Sequence, residues 1–119
     1  IGELVKYVRN VTLAVQVSLA NEFYDIAQRL ELDYTAVRNL AQLDKRLPTS
    51  HWDVPGPDGR RGLSGSCFPK DINALLALCV DLQIDAQVIA GAWATNLRVR
   101  PERDWQALVG RAVVASAAP

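Results

Sequence analysis

From Ile1 to about Leu30 the residues Leu4, Val5, Val8, Thr12, Val15, Leu19, Phe23, Ile26, Ala27 and Leu30 recur at steps of three and four, and no proline interrupts them. That period belongs to a helix, and the stretch predicts one long helix. Asp33 offers an N-cap for a second helix with Val37, Leu40 and Ala41 on one side, ending before Pro48, so the two form a helical hairpin. The run from Pro48 to Gly65 is crowded with proline and glycine and must be a loop, the kind of long connection that tends to carry function. Pro69 suits the first turn of the next helix, because its missing N–H would have had no partner there, and the helical pattern continues to about Leu82. A fourth helix is expected from Asp85 to about Arg98. Pro101 opens a fifth through Trp105, Leu108 and Val109, before the alanine-rich tail Ala115–Pro119. With no internal repeat and no strand-like alternation, the expected fold is all-α, and residues 1–119 suit one domain.

The 13 basic and 13 acidic side chains cancel without forming long blocks, which argues against a nucleic-acid or polyanion surface. No apolar run reaches the roughly 20 residues a membrane helix needs, and the first residues lack the plan of a signal peptide. A cytoplasmic protein with no membrane partner is the expectation, and the missing initiator Met suggests a segment of a longer chain. Cys79 lies within Ala74–Val80 and is expected to face a core. Two cysteines and one histidine are too few for a structural zinc site.

Chemistry concentrates in Gly65-Ser66-Cys67-Phe68-Pro69-Lys70-Asp71. A thiol becomes a useful nucleophile when its thiolate is stabilised, and the unpaired N–H groups and dipole of a helix N-terminus do that. Cys67 stands just before Pro69, and Gly59, Gly62 and Gly65 let a substrate approach the main chain closely. Asp71 falls one turn beyond Cys67, within reach of a water or proton near the sulfur. The bland alternative is that Cys67 fills a small buried space by a tight turn. On the first helix Lys6 and Asn10 share a face, and Asn21 returns to it about three turns later. A solvated face would also account for Lys6.

Together these residues resemble the UDP-glucose and GDP-mannose dehydrogenase family, in its helical central domain. The resemblance rests on Glu3-Leu4-Val5-Lys6-Tyr7-Val8-Arg9-Asn10, on Asn21-Glu22, on Asp44-Lys45-Arg46-Leu47, and on Val54-Pro55-Gly56-Pro57-Asp58-Gly59 leading into the cysteine run. It implies that a sugar C6 alcohol is oxidised twice by NAD, with Cys67 carrying a thiohemiacetal and then a thioester. Lys6 and Asn10 would stabilise the developing oxyanion, and Asp71 would help activate the hydrolytic water. Gly62 and Gly65 would line the sugar site. Arg46 would reach into a neighbouring subunit's site, which implies a homodimer with the first helix packed against its mate. UDP-glucose is the favoured nucleotide sugar.

Two positions depart from the family pattern. Ser64 stands where Gly-Phe-Gly-Gly has a glycine, and Pro48 replaces a glycine after the Asp-x-Arg run. The chain also lacks the Gly-x-Gly-x-x-Gly that follows a strand in a dinucleotide site, so the segment alone is expected not to turn over. A non-catalytic helical dimerisation module derived from such an enzyme is the alternative. His51, Arg60 and Arg61 are left outside the site as surface residues, and Trp52, Trp93 and Trp105 are assigned to packing.

Overall fold

The structure, a computed structural model, describes residues 1–63 and 67–107, with Cys67 and Ala107 described through their backbones. Every regular element among the described residues is helical: α1 (Gly2–Arg29), α2 (Tyr34–Ala41), α3 (Cys67–Asp81), α4 (Gln87–Val99) and a short 3-10 turn over Asp104–Ala107. That turn stands where a fifth helix was expected. Leu108, Val109 and the alanine-rich tail lie outside the described residues, as do Ser64, Gly65 and Ser66.

Helix α1 is the axis of the domain, packed against α2, α3 and α4. Glu3 in its first turn and Arg29 in its last both complement the helix dipole. The apolar stripe that identifies α1 is mostly not the face it buries. Leu4, Val5, Val8, Phe23, Ile26 and Leu30 are exposed, whereas Val11, Ala14, Gln16, Ser18, Ala20, Asn21 and Ala27 are buried. Small side chains at 14 and 20 let neighbouring backbones approach, and the buried polar side chains of α1, Gln16, Ser18 and Asn21, each find a hydrogen-bond partner. Ser18 Oγ donates to the Ala92 carbonyl at 2.7 Å, joining α1 to α4, and Gln16 donates to the Ser50 carbonyl of the long loop.

Asp33 caps α2 as expected, its side chain accepting the Thr35 N–H at 3.0 Å. The helix stops at Ala41, well short of Pro48. Beyond it, Leu43, Asp44 and Leu47 donate to carbonyls three residues back, and the Asp44 carboxylate takes the Arg46 N–H at 3.0 Å, offering the backbone a turn in place of a helix. Helices α1 and α3 close alike. The N–H groups of Glu31 and Leu32 return to Gln28 and Ala27, and those of Gln83 and Ile84 return to Val80 and Cys79, with Glu31 and Gln83 both at φ 58°.

One core joins Val11 and Ala14 of α1, Leu63 of the loop, Ile72 of α3, Ala92 and Trp93 of α4, and Trp105. The Trp93 and Trp105 rings lie 5.2 Å apart at 59°. A second cluster gathers Ala20, Ala27, Tyr34 and Val54, with Tyr24 and Trp52 against it, and the Tyr34 hydroxyl donates to the Trp52 carbonyl at 2.7 Å. All three tryptophans therefore pack, and Cys79 is buried. Among the described residues no helix is long and apolar enough to cross a membrane.

Candidate active site

The site is built where the start of α3 meets the first turns of α1. Cys67 is the first residue of α3, and Asp71 follows one turn later on the same face. Pro69 and Ile72 seal that turn against the core, leaving the Asp71 side chain 3% exposed. A carboxylate so buried needs partners. Asn10 Nδ2 donates to Asp71 Oδ2 at 2.6 Å, and Lys6 Nζ stands 3.9 Å from Asp71 Oδ1. Three of the four catalytic residues expected from the sequence thus form one group, contributed by two helices.

Lys6 also pairs with Glu3 at 3.3 Å and lies 5.3 Å from the Tyr7 ring centroid. The Glu3 hydrogen bond, aided by the Asp71 and Glu3 charges against a smaller cost of desolvation, holds the Lys6 ammonium above its ordinary pKa. It therefore remains a cation at neutral pH. A buried carboxylate, an amide donor and a cation at these distances can orient a water and meet a developing oxygen anion.

The loop entering α3 is held by polar contacts that the sequence alone does not reveal. Gly62 has φ 82°, and a Cβ there would lie 2.6 Å from Asn96 Oδ1 and 3.1 Å from Arg100 Cβ. Leu63, fully buried, donates its N–H to Asn96 Oδ1 at 2.7 Å. The Arg100 side chain, 1% exposed, donates to Asp58 at 2.6 Å and to Asp104 at 2.7 Å through each of two nitrogens. Its hydrogen bonds hold both carboxyls below their usual range, against the opposing push of partial burial. Arg61, expected to be a surface residue, instead turns inward onto Asn21 and Asp25 of α1. Arg60 is exposed, as expected. Only the pair of arginines between glycines in Gly59-Arg60-Arg61-Gly62 could have drawn attention beforehand. Nothing in spacing marks Asn96.

A cleft of about 240 Å³ runs beside this loop, lined by Val17, Asn21, His51, Gly62, Leu63 and Phe68 among others. His51 is exposed, and its ring centroid is 5.7 Å from that of Phe68. Arg46 is not gathered with Lys6, Asn10 and Asp71. Its side chain is 90% exposed and pairs with Asp44 at 2.6 Å. Gly65 lies outside the described residues.

The profile of the UDP-glucose/GDP-mannose dehydrogenase family, central domain, matches residues 1–98. The chain belongs to this family. It is similar to the UDP-glucose 6-dehydrogenase of Rickettsia prowazekii, 33% identical over 100 residues, which are 84% of this chain and 22% of that protein. The Pseudomonas aeruginosa UDP-glucose 6-dehydrogenase is 34% identical over 97 residues, covering 82% of this chain and 20% of the relative. A GDP-mannose 6-dehydrogenase of Pseudomonas syringae is 33% identical over 97 residues, covering 81% and 21%. The chain spans about a fifth of the length of these relatives. Family membership makes it part of the oxidoreductase group to which these dehydrogenases belong. The described residues contain no strand and hence no βαβ phosphate cradle, so they do not fit the main binding site of a dinucleotide. Nor do they include a cluster of three His, Cys, Asp or Glu side chains able to hold a metal ion.

Proposed function

We propose that this chain is the central, substrate-facing and dimer-forming part of an NAD-dependent nucleotide-sugar 6-dehydrogenase that converts UDP-glucose to UDP-glucuronate, with Cys67 as the covalent nucleophile. The carrying observation is the Asp71 carboxylate, buried one turn from Cys67, bonded by Asn10 and faced by Lys6. The names of the Rickettsia and Pseudomonas aeruginosa relatives supply the substrate. NAD, bound by residues outside those described, would supply the oxidising capacity for both oxidations.

The residues of this chain then have distinct tasks. The Cys67 thiolate adds to the C6 aldehyde, forming a carbon–sulfur bond and an oxyanion, and that oxygen takes a proton to give the thiohemiacetal. Lys6 Nζ and Asn10 Nδ2 meet that oxygen as charge develops. At the thioester stage water adds to the carbonyl carbon, the carbon–sulfur bond breaks, and the products are the carboxylate and the free thiol. Asp71 orients that water and takes its proton. Gly62, which lines the cleft and lets the loop close on Asn96, is assigned with Gly65 to the sugar site on the family resemblance.

Replacing Asp71 by Asn in the intact protein should slow hydrolysis more than addition. A sugar adduct on the peptide holding Cys67 is then expected by mass spectrometry after mixing with UDP-glucose and NAD. Unimpaired turnover with no adduct overturns the assignment. Running GDP-mannose in parallel decides between the two nucleotide sugars of the family.

The homodimer rests on a separate feature. Leu19, Phe23, Ile26, Leu30, Val37 and Leu47 line an apolar groove of about 500 Å³ between α1 and α2, away from Cys67 and Asp71. Exposed aliphatic and aromatic side chains so concentrated suit a matching face, here a second copy, with Arg46 reaching across into its partner's site. Sedimentation of the intact protein should give a dimer that Phe23→Asp weakens. A parent that stays strictly monomeric at high concentration contradicts it.

A further inference from the structure

The chain between Arg61 and Leu63 is held at three successive residues by different means. Arg61 Nε donates to Asn21 Oδ1 at 3.0 Å, and a terminal nitrogen donates to the Asn21 carbonyl at 3.1 Å and to Asp25 Oδ1 at 2.8 Å. Its guanidinium carbon lies 4.8 Å from the Tyr24 ring centroid. The Arg61 carbonyl accepts from Arg100 at 3.2 Å, Gly62 has no room for a side chain, and the Leu63 N–H is bound by Asn96. Helix α3 begins four residues after Leu63.

The partners of Arg61 are themselves fixed. Asn21 is 1% exposed, and its Nδ2 donates to the Val17 carbonyl at 2.9 Å, which orients its Oδ1 to accept from Arg61. Asp25 also receives Arg98 at 2.9 Å. Burial pushes the Asp25 carboxyl up, but the two arginines outweigh it and hold the group below its usual range, so it stays ionised.

Asp71 is tied through Asn10, and Arg61 through Asn21, to one helix, at points roughly 16 Å apart along its axis. Arg61 and Asp71, which flank Cys67 in the sequence, are therefore each anchored on α1. We propose that Arg61, docked on Asn21 and Asp25, is a positioning residue that sets where Cys67 stands relative to Lys6 and Asn10. This inference rests on the reading of Cys67 as nucleophile. An arginine suits the task because its planar fork engages an amide oxygen, a carbonyl and a carboxylate from one fixed plane, which a lysine ammonium cannot do.

The test uses the intact protein carrying Arg61→Gln, Arg61→Lys, Asn21→Ala, and Arg61→Gln with Asn21→Ala, with UDP-glucose and NAD as the assay pair. Misplacing a reacting group by about an ångström can cost on the order of 100-fold, so Arg61→Gln should lower kcat by about 30- to 100-fold while KM changes less than about threefold. Arg61→Lys should recover part of the loss through Asp25, and the double substitution should fall no further than the worse single one. Alkylation of Cys67 by iodoacetamide, followed on its peptide by mass spectrometry, should change in pH dependence as the thiol moves relative to Lys6. The assignment is overturned by kcat within twofold of the parent in both Arg61 variants. It is also overturned if kcat falls only with a melting temperature lowered by more than about 10 °C and alkylation as fast as in denatured protein, since Arg61 would then merely support the fold. Should Arg61→Gln fail to fold, Arg61→Lys and Asn21→Ala carry the same comparison. Cys67→Ala separates the two readings: full activity in that variant removes the nucleophile itself, whereas loss there with no effect at Arg61 removes only the positioning role.

Discussion

Replacement of Cys67 by alanine in the intact protein is expected to lower formation of the sugar acid by on the order of 10⁴-fold, the scale of loss when a covalent nucleophile is removed. Cys67 is the first residue of α3, where backbone N–H groups lack helical partners and the helix dipole presents its positive end. Alanine keeps that helix start and adds no strain, so the loss belongs to chemistry. The variant should retain its melting temperature, and UDP-glucuronate formation, followed by chromatography, is the deciding measurement. NADH absorbance alone does not suffice, because the first oxidation does not require the thiol and can continue when aldehyde is trapped. Acid formation at the parent rate would sink the proposed mechanism.

Gly62→Ala should destabilise the protein by about 3 kcal/mol, lowering the melting temperature by roughly 10 °C. A left-handed backbone costs an L-residue about 1–2 kcal/mol, and Gly62 has φ 82°. The added methyl also meets Asn96 Oδ1 at 2.6 Å and Val99 Cγ2 at 3.2 Å. Asn96 cannot swing aside freely, because the same oxygen holds the Leu63 N–H. Gly59 provides the control: φ is 78° there, but no described atom lies within 4 Å of where its Cβ would stand. Gly59→Ala should cost only the backbone share, about 1–2 kcal/mol. Urea unfolding of both variants measures the difference, and equal losses would show that the contact with α4 contributes nothing.

The helices were readable where local rules act alone. The period of α1, the Asp33 cap and Pro69 in the first turn of α3 each follow from a few neighbouring residues. Their ends were less legible. Helices α1 and α3 close through Glu31 and Gln83 in left-handed conformations, so the usual glycine signal is missing, and α2 gives way to an Asp44 side-chain turn. The core face of α1 was hidden for another reason: Ala14, Ser18 and Asn21 are buried because helices approach closely there, while the larger apolar residues remain exposed. Within the site, the family resemblance brought Lys6, Asn10 and Asp71 together. No helical period joins Asn10 to Asp71, since their contact spans two elements. Arg61 and Arg100 were invisible because an arginine in a polar loop looks solvated until the carboxylates that receive it are placed.

Cys67 and Cys79 lie toward opposite ends of α3, on the order of 18 Å apart along its axis, and both are held there by the same continuous helix. Disulfide geometry requires Cα atoms within about 7 Å, so the two cysteines of this domain cannot pair while it is folded. Peroxide acting on Cys67 thus finds no resolving thiol within the domain. Its sulfenic acid must be returned to the thiol by a reductant from outside, such as a small free thiol, before further oxidation makes the loss permanent.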